Sequence, residues 1–215
     1  MDSKEVLLKL LEAFEESNKE KQSLNINSSI PLGISNRHVH LSSEDLDVLF
    51  GEGYELNKMK DLSQPGQYAC KETITICGPK GAIENVRVLG PTRNKTQVEV
   101  LASDGFKLGL KPPVKLSGDL EGTNSVTLVG KKGSVNIKEG LIVAQRHIHM
   151  SKEDLNNLGL IDGQMVSIEI EGLRGGIYNN VAIRATENSS LECHLDIEEA
   201  NSMGVNALSK VKIKK

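Results

Sequence analysis

Two short segments with the pattern His-x-His carry the residues best suited to chemistry in this sequence. His38 and His40 form the first segment, His147 and His149 form the second, and His194 is the one histidine outside them. In an extended chain, side chains two positions apart point to the same side, so each segment presents two imidazoles side by side. Such a pair is suited to one metal ion, and Zn²⁺ fits nitrogen and carboxylate donors well without excluding Co²⁺ or Fe²⁺.

The two segments belong to an internal repeat. Residues 37–49 (RHVHLSSEDLDVL) and residues 146–158 (RHIHMSKEDLNNL) are identical at eight of thirteen positions. A second matched pair follows, residues 78–83 (GPKGAI) with residues 172–177 (GLRGGI). A single His-x-His segment is usually incidental, but its repetition within a duplicated unit favours metal binding in both copies.

The alignment of the two copies supplies a third ligand in each. Asn85 aligns with Asn180 after a one-residue insertion, and continuing without gaps places Glu99 opposite His194. Both lie on the polar side of segments in which polar and apolar residues alternate, as they do in strands. Two histidines and one further ligand are typical of catalytic zinc with an open coordination position. We predict two zinc ions per chain, and the sequence leaves open how the six ligands divide between them.

Arg93 is the candidate for binding an anion near these ligands. It lies in the turn of residues 90–94, six positions before Glu99. An arginine in a turn is more often a solvated surface residue, but a guanidinium beside a zinc site is a natural partner for an oxyanion such as phosphate. Its closeness to a predicted ligand strand favours this second interpretation.

The elements around the histidines are predicted to be short strands followed by short helices. Ser42 and Ser151 each begin the S-x-x-D pattern of a helix N-terminus directly after a histidine pair. Alternating segments such as residues 72–76 and 166–170, separated by glycine-rich turns, indicate many short strands. We therefore expect a mainly β fold with short helices, in which the duplication gives two similar small β-barrels. The predicted divisions are 1–30 (helix and polar linker), 31–115 (first barrel), 116–139 (crossing segment) and 140–215 (second barrel).

Residues 3–17 are predicted to form an amphipathic helix. The apolar residues recur at three- and four-residue steps, namely Val6, Leu7, Leu10, Leu11 and Phe14. The polar segment that follows, residues 18–29, has the composition of a linker. A helix of this kind is either a cap on the main domain or a docking peptide, and the sequence leaves both open.

The composition excludes several classes of protein. A formal charge of −3, from 26 basic and 29 acidic residues, and an aromatic content of 3% argue against nucleic-acid and membrane-surface binding. No apolar run is long enough to span a bilayer, and the N-terminus lacks the pattern of a secretory signal, so we expect a soluble intracellular protein. Cys70, Cys77 and Cys193 form no C-x-x-C pair and are expected to be reduced thiols in the core.

These motifs resemble the PduL-type phosphotransacylases, the phosphate propanoyltransferases of propanediol degradation. The resemblance covers about residues 30–215, and the paired RHxHxS motifs make it specific. It is carried by four segments, SNRHVH (35–40), GPTRNKTQVE (90–99), RHIHM (146–150) and ECHLD (192–196).

The resemblance implies an enzyme that converts a short-chain acyl-CoA, propanoyl-CoA or acetyl-CoA, and phosphate reversibly to acyl phosphate and CoA. It implies two zinc ions between two β-barrels, and it makes Arg93 the catalytic and phosphate-binding residue. The implied zinc ligands are His38, His40, Glu99, His147, His149 and His194. The implied contacts to coenzyme A are Ile34, Ser35, Asn36, Lys80, Arg87 and Asn201.

The resemblance also bears on residues 3–17, because an N-terminal amphipathic helix on a polar tether commonly directs such enzymes into a bacterial microcompartment. The partners would then be shell or core proteins of that compartment. The same helix in a free cytoplasmic enzyme would instead contact a second copy in a homo-oligomer. The localisation, cytoplasmic or inside a microcompartment, therefore stays open.

Two other functions use the same ligands. A zinc-dependent thioester hydrolase would activate water at an open zinc site and would not need Arg93. A non-catalytic metal-binding module would need no open coordination position. The sequence does not decide the acyl-chain preference, the physiological direction or the oligomeric state.

Overall fold

The structure is a computed structural model that describes residues 29–214, so the helix expected over residues 3–17 lies outside the described residues. The described part is mainly β, as expected, with fourteen strands and four short helices. Within residues 29–214, none of the helices has the length and apolar character needed to cross a membrane.

The elements follow one another in short steps along the chain. The strands are β1 (Ile30–Ser35), β2 (His38–Ser42), β3 (Lys58–Asp61), β4 (Tyr68–Cys77), β5 (Ala82–Arg93), β6 (Gln97–Val100), β7 (Val114–Lys115), β8 (Asn124–Val129), β9 (Ser134–Ala144), β10 (His147–Ser151), β11 (Met165–Ile170), β12 (Gly176–Thr186), β13 (Glu192–Asp196) and β14 (Lys210–Lys214). The helices are α1 (Ser43–Phe50), α2 (Asp104–Leu108), α3 (Lys152–Leu158) and α4 (Ile197–Met203).

One sheet has eight strands and contains the first His-x-His segment. Seven strands lie in the order β3-β4-β5-β2-β6-β9-β7, and β8 pairs with both β4 and β9. The strand β8 therefore closes a ring of six, β4-β5-β2-β6-β9-β8. Inside this ring β2 runs parallel to β5 and antiparallel to β6. Fully buried side chains such as Val39, Ile76 and Leu128 form its core.

The other sheet is a closed barrel with the strand order β1-β13-β10-β12-β11-β14, and it contains the second His-x-His segment. The strand β10 runs parallel to β12, and β11 runs antiparallel to both β12 and β14. Apolar residues that alternate along these strands are fully buried, among them Ile148, Ile168 and Ile183. A closed barrel is therefore present, as the fold class predicted, but it includes β1 from outside residues 140–215, and residues 140–144 belong to β9 of the other sheet.

Two strands pair differently from what chain order suggests. The strand β1 directly precedes the first histidine strand, yet it pairs with β14 in the barrel, with Ile30 opposite Val211. The strand β9 directly precedes the second histidine strand, yet it pairs with β6 and β8 in the eight-stranded sheet. Residues 116–139, predicted as a crossing segment, contain β8 and the first part of β9.

Both histidine strands lead into a capped helix, as the S-x-x-D patterns predicted. The Ser42 side chain accepts a hydrogen bond from the Asp45 backbone N–H at the start of α1. At the start of α3, Ser151 and Asp154 form a reciprocal capping box. Because a capped helix begins directly after each pair, the backbone of both histidine strands is fixed at its C-terminal end.

Candidate active site

The first ligand group consists of His38, His40 and Glu99. The two histidines lie on β2 and Glu99 lies on β6, where it is directly opposite His38 in the antiparallel ladder. The Nε2 atom of His38 is 3.4 Å from Oε2 of Glu99. One candidate ligand atom from each of the three residues lies within 4.8 Å of the other two, which is close enough for a single metal ion.

The second ligand group consists of His147, His149 and His194. The two histidines of β10 and His194 of β13 lie on neighbouring barrel strands. Their candidate ligand atoms also lie within 4.8 Å of one another, and the Nε2 atoms of His147 and His149 are 3.0 Å apart. The structure thus divides the six predicted ligands into two sets of three, the division that the sequence left open.

His40 has the properties of a metal ligand. It is 2% exposed, and its Nδ1 atom is buried without a hydrogen-bond partner among the described residues. Burial, followed by the positive charges of His38 and Arg93, lowers the pKa of His40 to about 2. A buried imidazole that stays neutral and leaves a ring nitrogen unsatisfied fits a metal ion well, because the ion would satisfy that nitrogen.

His38 is oriented by a hydrogen bond on its far side. Its Nδ1 atom lies 2.7 Å from the backbone carbonyl oxygen of Asn36, an arrangement in which Nδ1–H donates and Nε2 faces Glu99. This is the arrangement in which metal-binding histidines are usually held. Burial lowers the pKa of His38, but the charge and hydrogen bond of Glu99 and the Asn36 carbonyl together raise it above its usual value.

A chain of hydrogen bonds connects Glu99 with Arg93. The side-chain amide of Gln97 donates to Glu99 Oε1 at 2.6 Å and to Ser117 Oγ at 2.8 Å, and Arg93 Nη1 donates to the same Oγ at 3.0 Å. The backbone N–H of Gly118 donates to Gln97 Oε1 at 2.7 Å. Arg93, predicted as an anion-binding residue, is therefore held next to the first ligand group.

Sequence reasoning missed Gln97 and Ser117. Gln97 could have been found, because it lies two positions before Glu99 on the same side of β6, which is the relation that joins the histidines of each pair. Ser117 gives no such signal, since it lies in a loop and reaches Arg93 only through the fold.

An open cleft of about 290 Å³ lies beside the first ligand group. The residues that line it are His40, Pro65, Gly66, Gln67, Gly90, Pro91 and Arg93. A Cβ atom at Gly90 would lie 2.4 Å from the ring of Tyr68, so any side chain there would require this ring to shift. The cleft therefore joins a buried histidine and a guanidinium, which together can bind an anionic substrate at a metal centre.

The residues expected to contact coenzyme A are spread over several elements. Ile34 and Ser35 are half-buried at the end of β1, and Asn36 is exposed just after it. Lys80 is exposed in the turn after β4, and Asn201 is exposed on α4. Three of these five residues, Asn36, Lys80 and Asn201, are thus exposed to solvent.

Arg87, which the resemblance makes a contact to coenzyme A, is already bound by the backbone. It lies on β5 and is half-buried, and its Nη1 atom donates to the carbonyl oxygens of Cys70 and Lys71 at 3.0 and 2.8 Å. One of its terminal nitrogens is thus already engaged by the backbone. Cys70 and Cys193 are buried and Cys77 is half-buried, and all three are free thiols, as expected.

Comparison with known proteins assigns the chain to a family. The family model described as phosphate propanoyltransferase matches residues 31–206. A phosphate propanoyltransferase of Rhodobacter capsulatus is 51% identical over 186 residues, covering 86% of this chain and 86% of the relative. Relatives of the same name are 54% identical over 178 residues in Thermotoga maritima (82% and 85% covered) and 51% identical over 184 residues in Clostridioides difficile (86% and 88% covered). The chain therefore belongs to the phosphate propanoyltransferase family and is a phosphate acyltransferase.

Proposed function

We propose that the chain is a zinc-dependent enzyme that transfers a short-chain acyl group, propanoyl or acetyl, between coenzyme A and phosphate. The observation that carries the proposal is that His40 of the first ligand group lines one cleft together with Arg93. The cleft thus brings one of three grouped potential metal ligands together with a guanidinium suited to phosphate.

Arg93 binds the attacking phosphate in this scheme. Its Nη1 atom is held by Ser117, and Ser117 in turn is held by Gln97, which also fixes Glu99. The planar guanidinium can donate two parallel hydrogen bonds to phosphate oxygens, so it orients the anion as well as attracting it. The same network therefore sets the position of the anion relative to the metal ligands.

Transfer then proceeds in one displacement. A phosphate oxygen attacks the thioester carbonyl carbon, the carbon–sulfur bond breaks, and coenzyme A leaves as a thiolate that takes up a proton from solvent. Bound Zn²⁺ would supply Lewis-acid stabilisation of the carbonyl oxygen or of the departing thiolate. All five histidines of the sequence belong to the two ligand groups, so none remains to activate a serine or cysteine nucleophile.

The proposed metal content is two zinc ions per chain, one in each ligand group. The second group is suited to zinc because the Nε2 atoms of two imidazoles face each other at 3.0 Å, with a third imidazole within reach. The pantetheine and nucleotide of coenzyme A would contact Ile34, Ser35, Asn36, Lys80, Arg87 and Asn201. Arg87 would contact coenzyme A through its other guanidinium N–H groups, because only Nη1 donates to the carbonyl oxygens of Cys70 and Lys71.

The proposal includes an origin of the fold by duplication. Asn85 and Asn180, which the repeat aligns, both adopt a left-handed backbone conformation, with φ of 58° and 56°. They are the only residues other than glycine with positive φ among residues 29–214. A rare conformation at aligned positions supports a common ancestor for the two copies.

The N-terminal segment would determine where the enzyme works. The apolar side of residues 3–17 and the polar linker suit a peptide that docks on a partner surface, which favours delivery into a bacterial microcompartment. A fluorescent protein fused to this segment should form puncta in cells that make compartment shells. Diffuse fluorescence would favour the cap on the main domain and a cytoplasmic enzyme.

The function is tested by thiol release from acetyl-, propanoyl- and butanoyl-CoA with and without phosphate. We expect release only when phosphate is present, loss of turnover after treatment with a chelator, and recovery when Zn²⁺ is added. Release that does not depend on phosphate would identify a thioester hydrolase instead. Absence of turnover with all three thioesters in zinc-loaded protein would favour a binding module.

A further inference from the structure

An arginine next to the first ligand group connects the two strands that carry its ligands. Arg37 directly precedes His38, and Asp104 lies five residues after Glu99. The guanidinium donates from Nε to Asp104 Oδ2 at 2.9 Å and from Nη2 to Oδ1 at 2.8 Å. This two-point contact fixes the relative position of the segments just before His38 and just after Glu99.

The carboxylate of this pair is itself fixed in place. Asp104 is 6% exposed, and its Oδ2 atom also accepts a hydrogen bond from the backbone N–H of Leu101 at 3.0 Å. An arginine bound at two points to a buried, hydrogen-bonded carboxylate has little freedom to move. Its position is therefore transmitted to the neighbouring His38.

The second ligand group has an equivalent pair. Arg146 directly precedes His147, and Glu199 lies five residues after His194. The Nε atom of Arg146 is 3.0 Å from Glu199 Oε1. Glu199 is also held at the start of α4, where the Asp196 backbone N–H donates to it at 3.1 Å. The gap-free alignment that places Glu99 opposite His194 also places Asp104 opposite Glu199, so both copies have an acidic residue at this position.

We propose that Arg37 and Arg146 are positioning residues, each of which holds the two ligand-bearing strands of its own group at the spacing that a metal ion requires. The proposal rests on the proposed metal-binding function of these groups. Neither arginine can be a ligand itself, since a guanidinium stays protonated and offers no lone pair.

The direction in which the metal affinity changes distinguishes a positioning role from a simple electrostatic one. Replacing Arg37 by glutamine removes a positive charge near the site, and charge alone would make the site bind a cation more tightly. Loss of positioning has the opposite consequence, because the ligands would then have to be ordered by the ion. Weaker metal binding in Arg37→Gln is thus specific to the proposed role.

The experiment follows the release of zinc from the full-length, zinc-loaded protein to a chromophoric chelator in excess. We expect Arg37→Gln to release one ion per chain about 10-fold faster than the unchanged protein while the other ion keeps its rate, since loss of outer contacts of this kind weakens metal sites by about 10–100-fold. Arg146→Gln should accelerate release of the other ion, and the double variant should accelerate release of both.

Arg37→Lys should give an intermediate rate of release, because it keeps the charge but not the planar fork. Lys212→Gln is the matched control, since it breaks the exposed ion pair with Glu171 and should change neither rate.

Each remaining outcome overturns the proposal in a distinguishable way. An unchanged or slower release in Arg37→Gln, with two ions bound in the unchanged protein, would refute positioning and leave the proposed function intact. Equal acceleration of both ions in a single variant would indicate general destabilisation rather than positioning. If Arg37→Gln does not fold, Arg37→Lys is judged by the same rates, because it loses the two-point contact without changing the charge. An unchanged protein that binds no zinc would refute the proposed metal function and this proposal together.

Discussion

The two ligand groups share their construction and differ in their third ligand. In both, two histidines on one strand present nearly perpendicular rings, at 88° for His38 and His40 and at 85° for His147 and His149. In both, an arginine precedes the pair and a capped helix follows it. The third ligand is a carboxylate, Glu99, in the first group and an imidazole in the second.

This difference in charge coincides with a difference in surroundings. The carboxylate of Glu99 is linked through Gln97 and Ser117 to Arg93. Burial, followed by the charges of His38 and Arg93, lowers the pKa of His40, whereas the charge and hydrogen bond of Glu99 help to raise the pKa of His38 above its usual value despite burial. A carboxylate ligand offsets part of the positive charge that a metal ion and an arginine would otherwise place together. In the first group, a candidate carboxylate ligand thus lies near a guanidinium, which is the arrangement that the proposed function requires.

Removing a histidine from either group should have the largest effect. We expect His40→Ala and His149→Ala each to lose one zinc ion per chain and to lower turnover by more than about 100-fold, beyond the range typical of outer contacts. Elemental analysis and the thiol-release assay measure the two effects, and circular dichroism checks the fold. Full turnover in a variant that has lost an ion would show that its group has only a structural role.

Arg93→Ala should have the next largest effect on turnover, and it should lower only the efficiency with which the enzyme uses phosphate. Loss of a charge-assisted hydrogen bond, about 1.5–3 kcal/mol, corresponds to about a 10–100-fold lower kcat/KM for phosphate, with the zinc content unchanged. Arg93→Lys should recover little of it. Lys95→Ala is the control, because it removes an exposed cation two positions away. An unchanged dependence on phosphate in Arg93→Ala would remove Arg93 from the mechanism.

Exchanging the third ligand should lower turnover less than removing it does. Glu99→His gives the first group the composition of the second, so we expect the zinc ion to be retained. Turnover should fall by about 10-fold, because Gln97 loses the carboxylate that it binds and the cleft gains positive charge. Turnover should fall further in Glu99→Ala, because this variant also loses the ion. If the two variants behave alike, the carboxylate itself, rather than ligation at this position, is required.

The two candidate ligand groups and their immediate elements could be predicted because each depends on local order in the sequence. The side-by-side histidines follow from the two-residue period of a strand, the helix starts follow from Ser42 and Ser151, and Glu99 follows from the alignment of the repeat. The helix predicted over residues 3–17 lies outside the described residues and stays a prediction.

The parts that could not be predicted depend on contacts between distant segments. The pairing of β1 with β14 is hidden because an alignment follows chain order, whereas hydrogen bonding between strands does not. The contact of Ser117 with Arg93 joins residues 24 positions apart without any pattern. The side chain of Arg87 is half-buried because carbonyl oxygens of the neighbouring strand bind it, a contact that no local pattern predicts.

The smallest expected effect concerns the helix caps. The two aligned serines, Ser42 and Ser151, should differ in how much protein stability is lost when each is replaced. Ser42→Ala and Ser151→Ala each remove a cap, which costs about 1 kcal/mol. The cost should be greater for Ser42, at about 2 kcal/mol, because it is 9% exposed and its Oγ lies in a buried hydrogen-bond network with Thr96, whose hydroxyl also donates to Asp45.

The free energy of unfolding in urea, measured at the same zinc saturation for every variant, tests this order, since bound metal would otherwise mask it. Ser43→Ala, one position beyond the first cap and exposed, should change the free energy by less than about 0.5 kcal/mol. Equal losses for the two serines would show that Thr96 adds nothing to the cap. A larger loss for Ser151 would mean that its capping box, in which Asp154 also binds the serine backbone N–H, stabilises its helix more than the buried contacts of Ser42 do.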